Sequence, residues 1–240
     1  MRVLLTRPRE EASALAARLA ARGIETLVEP LLSIHPLAVP PLALTGVQAL
    51  AVTSANGARA LGRVWPVGAP RLPVFAVGPA SAAAARAAGF CRVEAGAEDV
   101  AALAQLVAAR LDPAAGAVLH AAGSEVAGDL AGLLAVEGFA VRRAVLYRAD
   151  PALALSAATI AALTRGEIDA VLLYSPRTAM IFAALVHQAG LIDACRTLTA
   201  YCLSASVAAA ATLPFREVRV AAHPSEEALL ALLQGERSRP

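Results

Sequence analysis

The chain has 240 residues, which is enough for one large domain or two smaller ones. Its hydrophobic fraction of 58% is high, but its longest uncharged stretches, residues 37–58 and 197–214, are broken by polar residues, Pro or Gly and do not predict a transmembrane helix. The net charge of +2 and the lack of a basic cluster before the last few residues argue against a nucleic-acid partner. The N-terminal apolar run is too short for a signal peptide, so we expect a soluble, cytoplasmic protein.

Cysteine and histidine give no sign of a disulfide or a metal site. Cys91, Cys195 and Cys202 lack CxxC spacing, and the 4 histidines fall in separate segments. No strand is followed by GxGxxG, and GxxxxGK[ST] does not occur. We therefore expect no metal and no cofactor.

Short apolar runs alternate with Ala- and Leu-rich helical segments along the whole chain. The runs predict strands at residues 2–6, 25–30, 48–53, 73–77, 117–120, 140–147, 169–174, 199–203 and 218–221. This alternation predicts an α/β fold built from parallel sheets with helices on both faces.

The chain also contains an internal repeat. Residues 3–32 align without gaps with residues 118–147, and residues 47–57 resemble residues 168–178. Because related segments follow in the order A-B-A′-B′, we expect two similar domains with the first strand in the same sheet as residues 169–174. The alternative is one continuous Rossmann-like sheet without duplication.

Small, hydroxylated and glycine residues follow the predicted strands, where an open parallel sheet binds its ligands. Each turn leads into a helix whose free N–H groups and positive dipole end suit an anion, and Arg7 and Arg177 add positive charge. The same residue types cap helices well, so part of the pattern is structural. The candidate binding residues are Thr6, Arg7, Thr53, Ser54, Asn56, Gly57, Gly78, Pro79, Ser81, Gly123, Ser175, Pro176, Arg177, Ser204 and Ser206.

These strand ends carry almost no strong acid or base. The sequence offers no Ser–His or Cys–His arrangement with a third partner, so acid catalysis must come from a weak group, from water or from the substrate. Two tyrosines end predicted strands: Tyr174, before Ser175, and Tyr147, shortly before Pro151. Tyr147 is the better catalytic candidate because it lies where one repeat unit leads into the next. The alternative for both is a half-buried packing role.

The sequence resembles the uroporphyrinogen-III synthases over nearly its full length. Each matching motif is weak alone, but the complete set in this order is fairly specific. The motifs are VLLTRP with its helix ending in ARG (2–23), LVEPLLSI (27–34), AVTSANG (51–57), AVGPAS (76–81), VLYR (145–148), LLYSPRT (172–178) and AHPSEEALL (222–230). One turn departs from the pattern, since Ser204-Ala205-Ser206-Val207 replaces a Gly-Pro-x-Thr type turn.

The resemblance implies two similar α/β domains, each a parallel sheet flanked by helices, joined by a two-stranded linker. The first domain would combine residues 1–34 with 153–240, and the second would span residues 40–143. Residues 32–39 and 145–152 would form the linker strands.

The resemblance also implies the activity. The family's enzymes are cofactor-free lyases of tetrapyrrole (heme, siroheme or cobalamin) biosynthesis that cyclise hydroxymethylbilane to uroporphyrinogen III, with inversion of ring D and loss of water. Tyr147 matches the tyrosine that is the best candidate for assisting departure of the substrate hydroxyl. At the divergent turn, a hydroxyl role would fall to Ser204 or Ser206. We expect a monomer that contacts hydroxymethylbilane synthase transiently.

Two other functions stay open at the level of sequence. One is a non-enzymatic sensor module that binds a small anion on a duplicated α/β fold, although no helix-turn-helix or other output element is visible. The other is a different small-anion enzyme on a flavodoxin-like fold, although the phosphate-loop and cofactor motifs that it needs are missing.

Overall fold

The computed structural model describes residues 1–96, 99–126 and 128–237. The predicted first domain extends to residue 240, and residues 238–240 lie outside the described residues. Among the helices that are described, none is long and apolar enough to cross a membrane.

Helices and strands alternate along the chain, as the apolar pattern predicts. From the N-terminus the elements are β1 (Arg2–Leu5), α1 (Arg9–Ala20), β2 (Glu25–Val28), β3 (Leu32–Pro36), β4 (Val47–Val52), α2 (Ala55–Val64), β5 (Val74–Ala76), α3 (Gly78–Ala87), β6 (Val93–Ala95) and α4 (Val100–Arg110). They continue with β7 (Ala117–Gly123), α5 (Leu130–Val136), β8 (Val141–Pro151), α6 (Ala157–Thr164), β9 (Ala170–Leu173), α7 (Pro176–Gln188), β10 (Thr199–Cys202), α8 (Ala205–Ala210), β11 (Glu217–Val220) and α9 (Glu226–Arg237). Short 3-10 helices occupy Pro113–Ala115 and Asp193–Thr197.

The first compact unit comprises Met1–Ser33 together with the chain from Asp150 onward. Its sheet has the strand order β11-β10-β9-β1-β2, and all neighbouring strands are parallel. Strands β9 and β10 are buried along their whole length because helices cover both faces of the sheet. Leu4 of β1 lies opposite Val171 of β9, which confirms that the first strand shares a sheet with residues 169–174.

The second compact unit comprises Ile34–Ala149. Its sheet has the order β3-β8-β7-β4-β5-β6 and is parallel from β8 to β6. The N–H of Leu37 donates to the carbonyl of Leu146 (2.9 Å), and the N–H of Ala152 donates to that of Leu31 (3.0 Å). One residue number rises as the other falls, so β3 and β8 run antiparallel. The chain passes from one unit to the other within these two strands, after Ser33 in β3 and after Ala149 in β8.

The two units share one strand order. Their five-stranded cores read β11-β10-β9-β1-β2 and β6-β5-β4-β7-β8, and the internal repeat places β7 and β8 on β1 and β2. The alternative of one continuous sheet is therefore wrong, and the predicted class of two similar α/β domains is confirmed. In each sheet the order reverses at one place, between β1 and β9 or between β7 and β4. Ligands of such sheets bind at this switch point, beyond the carboxyl ends of the strands.

A buried carboxylate fixes the start of α6 in the first unit. Glu29 follows β2 and is only 4% exposed. It accepts a hydrogen bond from the Ser156 hydroxyl at 2.5 Å and another from the Thr159 hydroxyl, and the Ser156 N–H points at both of its oxygens from 3.2 and 3.3 Å. Ser156 is also the N-cap of α6. The negative charge thus lies at the positive end of the helix, where it is stabilised.

Replacing Glu29 with Gln should lower the free energy of unfolding by about 2–3 kcal/mol, because the amide loses the charge and turns a donor toward donor groups. Urea denaturation at pH 7 measures this. The matched control is Glu25→Gln, since Glu25 is an exposed carboxylate of β2. Equal midpoints for the two variants would show that the buried carboxylate does not stabilise this unit.

Candidate active site

The switch point of the second unit lies where β4 and β7 end side by side. Thr53 and Ser54 follow β4, and Gly123 is the last residue of β7. Side chains from both faces of the sheet reach this place, so four polar groups from distant parts of the sequence meet at one strand edge.

The first pair joins Tyr147 of β8 to Ser54. Their hydroxyl oxygens lie 2.9 Å apart, and Tyr147 is 8% exposed. Ser54 is the N-cap of α2 and accepts a hydrogen bond from the Gly57 N–H at 2.9 Å. If Ser54 also donates its proton to the Tyr147 oxygen, the phenolic proton is left to point at a ligand. In that arrangement the N-cap serine orients the tyrosine as a donor.

The backbone of β7 creates the space for that tyrosine. The parallel register between β7 and β8 shifts after Ala122, so that Gly123 lies opposite Tyr147. A Cβ on Gly123 would lie 2.8 Å from Cζ of the Tyr147 ring, closer than side chains pack. Bulges of this kind re-aim a side chain beside active sites. Gly123 therefore provides the space for the Tyr147 ring, because it has no side chain.

The second pair joins Thr53 to His120, on the opposite face of the sheet. The threonine hydroxyl oxygen and Nε2 of His120 lie 3.1 Å apart. His120 is 3% exposed, and burial, helped by the nearby charge of Arg143, lowers its pKa to about 4. The imidazole is thus neutral at neutral pH. The sequence analysis considered the histidines only as metal ligands and missed this one; the signal was a lone polar residue in the buried run AVLHAAG.

The other predicted residues of the second unit shape the starts of two helices. The side chain of Asn56 accepts a hydrogen bond from Arg59 at 2.7 Å. A Cβ on Gly57 would lie 2.7 Å from the carbonyl oxygen of Ala121, so the tight approach of α2 to β7 requires glycine. Gly78 begins α3 with a φ of 66°, which few other residues adopt. Pro79 is exposed, and Ser81 is buried.

At the switch point of the first unit, the predicted binding residues have partners within the protein. Thr6 is fully buried, and its hydroxyl donates to the Leu172 carbonyl at 2.6 Å. Arg7 forms salt bridges with Glu11 at 2.5 Å and with Glu226 at 2.6 Å. An anion would have to compete with these two carboxylates for Arg7. The ion pairs therefore make Arg7 a weaker anion-binding residue than its sequence position suggests.

Tyr174 lies under this ion cluster. The guanidinium of Arg7 stacks on the tyrosine ring, 4.6 Å from its centroid. Burial raises the pKa of Tyr174 above its ordinary value, although the charge of Arg7 opposes the change. The phenol is therefore neutral and packed, which is the role that the sequence analysis gave as its alternative.

The remaining candidates lie at the starts of α7 and α8. Ser175 and Thr178 form a capping box, in which the Ser175 hydroxyl accepts from the Thr178 N–H at 3.1 Å. Pro176 is the first residue of α7 and is exposed, and Arg177 is half-buried. The hydroxyl oxygens of Ser204 and Ser206 lie 2.9 Å apart, and Ser204 is the N-cap of α8. The capping explanation therefore applies fully to Ser175, while either serine at α8 still offers a hydroxyl.

The described residues contain no group of three or more His, Cys, Asp or Glu side chains that could hold a metal ion. Hydroxyls, one neutral imidazole and arginines are prominent among the described polar groups at these strand ends. Such groups donate hydrogen bonds to an anion and supply at most weak acid catalysis.

The sequence matches the family model of uroporphyrinogen-III synthase HemD over residues 13–231. Uroporphyrinogen-III synthetase from Helicobacter pylori is 19% identical and superposes with a TM-score of 0.68, covering 99% of this chain and 100% of its own. A mutant of uroporphyrinogen III synthase from Thermus thermophilus is 21% identical with a TM-score of 0.63, covering 99% and 97%. At these identities the solved structures show a shared fold. No curated protein matches the sequence.

Replacing His120 with Gln should weaken the loss of stability on acidification. The imidazole has a pKa of about 4 in the folded protein and 6.5 without the fold, so between these values the unfolded chain takes up the proton first. Stability is therefore lost as the pH falls through this window, by up to about 1.4 kcal/mol per pH unit. Urea denaturation at pH 7 and pH 4.5 compares wild type with His120→Gln and with His223→Gln, an exposed control. If the free energy of unfolding of His120→Gln falls between pH 7 and pH 4.5 as much as that of wild type and His223→Gln, His120 is not a buried neutral imidazole.

Proposed function

We infer that this chain, which belongs to the uroporphyrinogen-III synthase family, cyclises hydroxymethylbilane to uroporphyrinogen III with inversion of ring D and loss of water. The family match over residues 13–231 carries this conclusion. It makes the chain an enzyme of tetrapyrrole biosynthesis and argues against a small-anion sensor.

We further propose that the enzyme is a cyclising hydro-lyase that needs no metal or cofactor. One carbon–oxygen bond of the substrate breaks, one molecule of water leaves, and no electrons are gained or lost. This chemistry requires a hydrogen-bond donor near the departing oxygen and a surface that holds a flexible polyanion. Both are within the reach of hydroxyls, N–H groups and arginines.

Tyr147 is the proposed donor to the departing hydroxyl. As the carbon–oxygen bond lengthens, the pyrrole nitrogen pushes electrons toward the methylene carbon, and the oxygen takes up a proton and leaves as water. The pyrrole N–H loses its proton and a proton returns to Tyr147, so the azafulvene is neutral and the step balances. The observation that supports Tyr147 is its contact of 2.9 Å with the capping hydroxyl of Ser54, at the strand edge where this fold binds ligands.

The later steps depend on conformation more than on acid and base groups. Ring D attacks the azafulvene through its substituted carbon, the spiro intermediate fragments, and reclosure gives the type III isomer. Holding ring D for this attack is a problem of orientation, which polar anchors on the substrate carboxylates can solve. The proposed anchors are Thr53, Ser54, Asn56, Gly57, Gly78, Pro79, Ser81 and Gly123 in the second unit, and Arg7, Ser175, Pro176, Arg177, Ser204 and Ser206 in the first. Thr6, with its hydroxyl buried, is proposed to position the turn that carries Arg7.

Three further expectations stay predictions. They are a monomeric state, a transient contact with hydroxymethylbilane synthase and a location in the cytoplasm. Direct transfer from the synthase would make chemical sense, because hydroxymethylbilane closes spontaneously to the type I isomer.

The purified chain, without added metal or cofactor, should convert hydroxymethylbilane mainly into uroporphyrinogen III. Chromatographic separation of the type I and type III isomers, against a control without enzyme, measures this. A product mixture equal to that control would refute the proposed function. Activity that is lost with a chelator and restored by a metal would refute the proposed independence of metals.

Replacing Tyr147 with Phe should lower kcat by roughly tenfold to a hundredfold, the low end of what one positioned acid contributes. The fold should be nearly unaffected, because only one hydroxyl is removed. The control is Tyr201→Phe, the same change at a fully buried tyrosine of β10. Unchanged kcat in a folded Tyr147→Phe enzyme would leave conformational control alone as the mechanism.

Gly123→Ala serves as a second test of the same role. It keeps the Tyr147 hydroxyl but forces the ring to move, since the added Cβ would lie 2.8 Å from the ring. We expect kcat to fall here as well. If Tyr147→Phe lowers the melting temperature as well as kcat, the result would instead support a packing role for the tyrosine.

A further inference from the structure

Thr53, His120 and Arg143 form a row across three neighbouring strands of the second unit. Arg143 of β8 is the direct register partner of His120 on β7, and Thr53 follows β4 on the other side of β7. Side chains alternate between the two faces along a strand. The row therefore continues the face of Ala51, Val118 and Val141, which pack together beneath α4 and α5.

Tyr147 belongs to the opposite face. It packs in the cluster that contains Leu119 and Ala121, beneath α2 and α3. The strand edge thus has a face with the proposed proton donor and a face with the Thr53–His120–Arg143 row. A substrate lying over the strand ends meets both.

The positively charged guanidinium of Arg143 reaches from β8 to the end of β7. Its Nη2 donates to the carbonyl oxygens of Gly123 at 2.6 Å and Ser124 at 2.7 Å, which fixes the guanidinium although the residue is exposed. Within the described residues, both hydrogen bonds of this guanidinium go to carbonyls and its charge meets no carboxylate. Arg7, at the other switch point, has two carboxylate partners. Arg143 is therefore the better placed cation for a substrate anion.

His120 determines which way Thr53 can donate. The imidazole is neutral, so one ring nitrogen donates and the other accepts. When Nε2 carries the proton and donates to the Thr53 oxygen, 3.1 Å away, the threonine proton is free to point outward. An anion over the strand end favours this arrangement, because it accepts the threonine proton. In this arrangement the hydrogen bond from His120 fixes the Thr53 hydroxyl, which donates its own proton to the anion.

We propose that Arg143 and Thr53 bind one carboxylate of the substrate, with His120 as the positioning residue that orients the Thr53 hydroxyl. The inference rests on the proposed function and names the anchor opposite Tyr147. Arginine supplies the charge and a fork that matches a carboxylate, and threonine supplies one further hydrogen bond. This anchor fixes where the rest of the tetrapyrrole lies relative to the tyrosine.

The test is a split between KM and kcat for hydroxymethylbilane. An anchor that already binds the substrate in the ground state acts on KM. Arg143→Gln should raise KM about tenfold or more, as expected for a lost hydrogen bond to a charged group, whereas Tyr147→Phe acts mainly on kcat. Arg143→Lys should recover part of the loss, because it keeps the charge without the fork. The matched control is Arg142→Gln, an exposed neighbour whose guanidinium donates to the Thr45 carbonyl at 2.7 Å; its KM should not change.

The positioning role of His120 needs its own readout. Thr53→Val and His120→Gln should each raise KM, and the double variant should raise it little beyond the larger single effect, because both changes remove the same donor. Thr53→Ser should restore a nearly normal KM. Fully additive effects would show that His120 acts independently of Thr53.

Failure of this inference is distinguishable from failure of the proposed function. A wild-type chain that forms no type III product refutes the function. A wild-type chain that forms it, with an Arg143→Gln variant of unchanged KM, refutes the carboxylate anchor and leaves the function intact.

Discussion

The parallel pairing of β1 with β9 is the constraint on which the rest of the molecule depends. A buried parallel strand needs a hydrogen-bonded neighbour on each side, and β1 finds its second neighbour only in β9, far along the chain. The chain must therefore leave the first unit, complete the second and return. The second unit has the same requirement with the chain order reversed. Its strand β7 finds the second neighbour in β4, which precedes it in the sequence. Both switch points follow from these two pairings.

The two switch points then differ in how they handle charge. In the first unit, Arg7 is matched by Glu11 and Glu226, and Tyr174 is packed beneath the guanidinium. In the second unit, Arg143 is held by carbonyl oxygens, and the buried His120 stays neutral beside it. Burial disfavours the charged imidazole and the arginine adds to this, so the local positive charge stays on Arg143. The duplicated scaffold thus pairs its arginine with carboxylates at the end of β1 and with carbonyl oxygens at the end of β7.

Much of this was predictable from the sequence, because its signals are periodic and local. Apolar runs and glycines located nine strands to within a few residues, and the repeat predicted that β1 and β9 share a sheet. Strand β6 was missed, since its three residues Val-Glu-Ala are too short to show a period. The polar turns after the strands identified Thr53, Ser54 and Gly123, because every parallel strand ends at the same edge of its sheet.

The sequence by itself thus determined the fold class, the family and the edge of each sheet that carries the polar groups. Only the tertiary structure decided which of these groups meet. Tyr147 reaches Ser54 because the register shifts at Gly123, and a register shift leaves no mark on the alternation of residues. His120 and Arg143 became relevant only once β7 lay between β4 and β8, while Arg7 found its carboxylates in α1 and α9. The physical reason is the same in each case: a side chain's pKa, partners and freedom to bind depend on neighbours that are distant in the chain, and no local pattern encodes them.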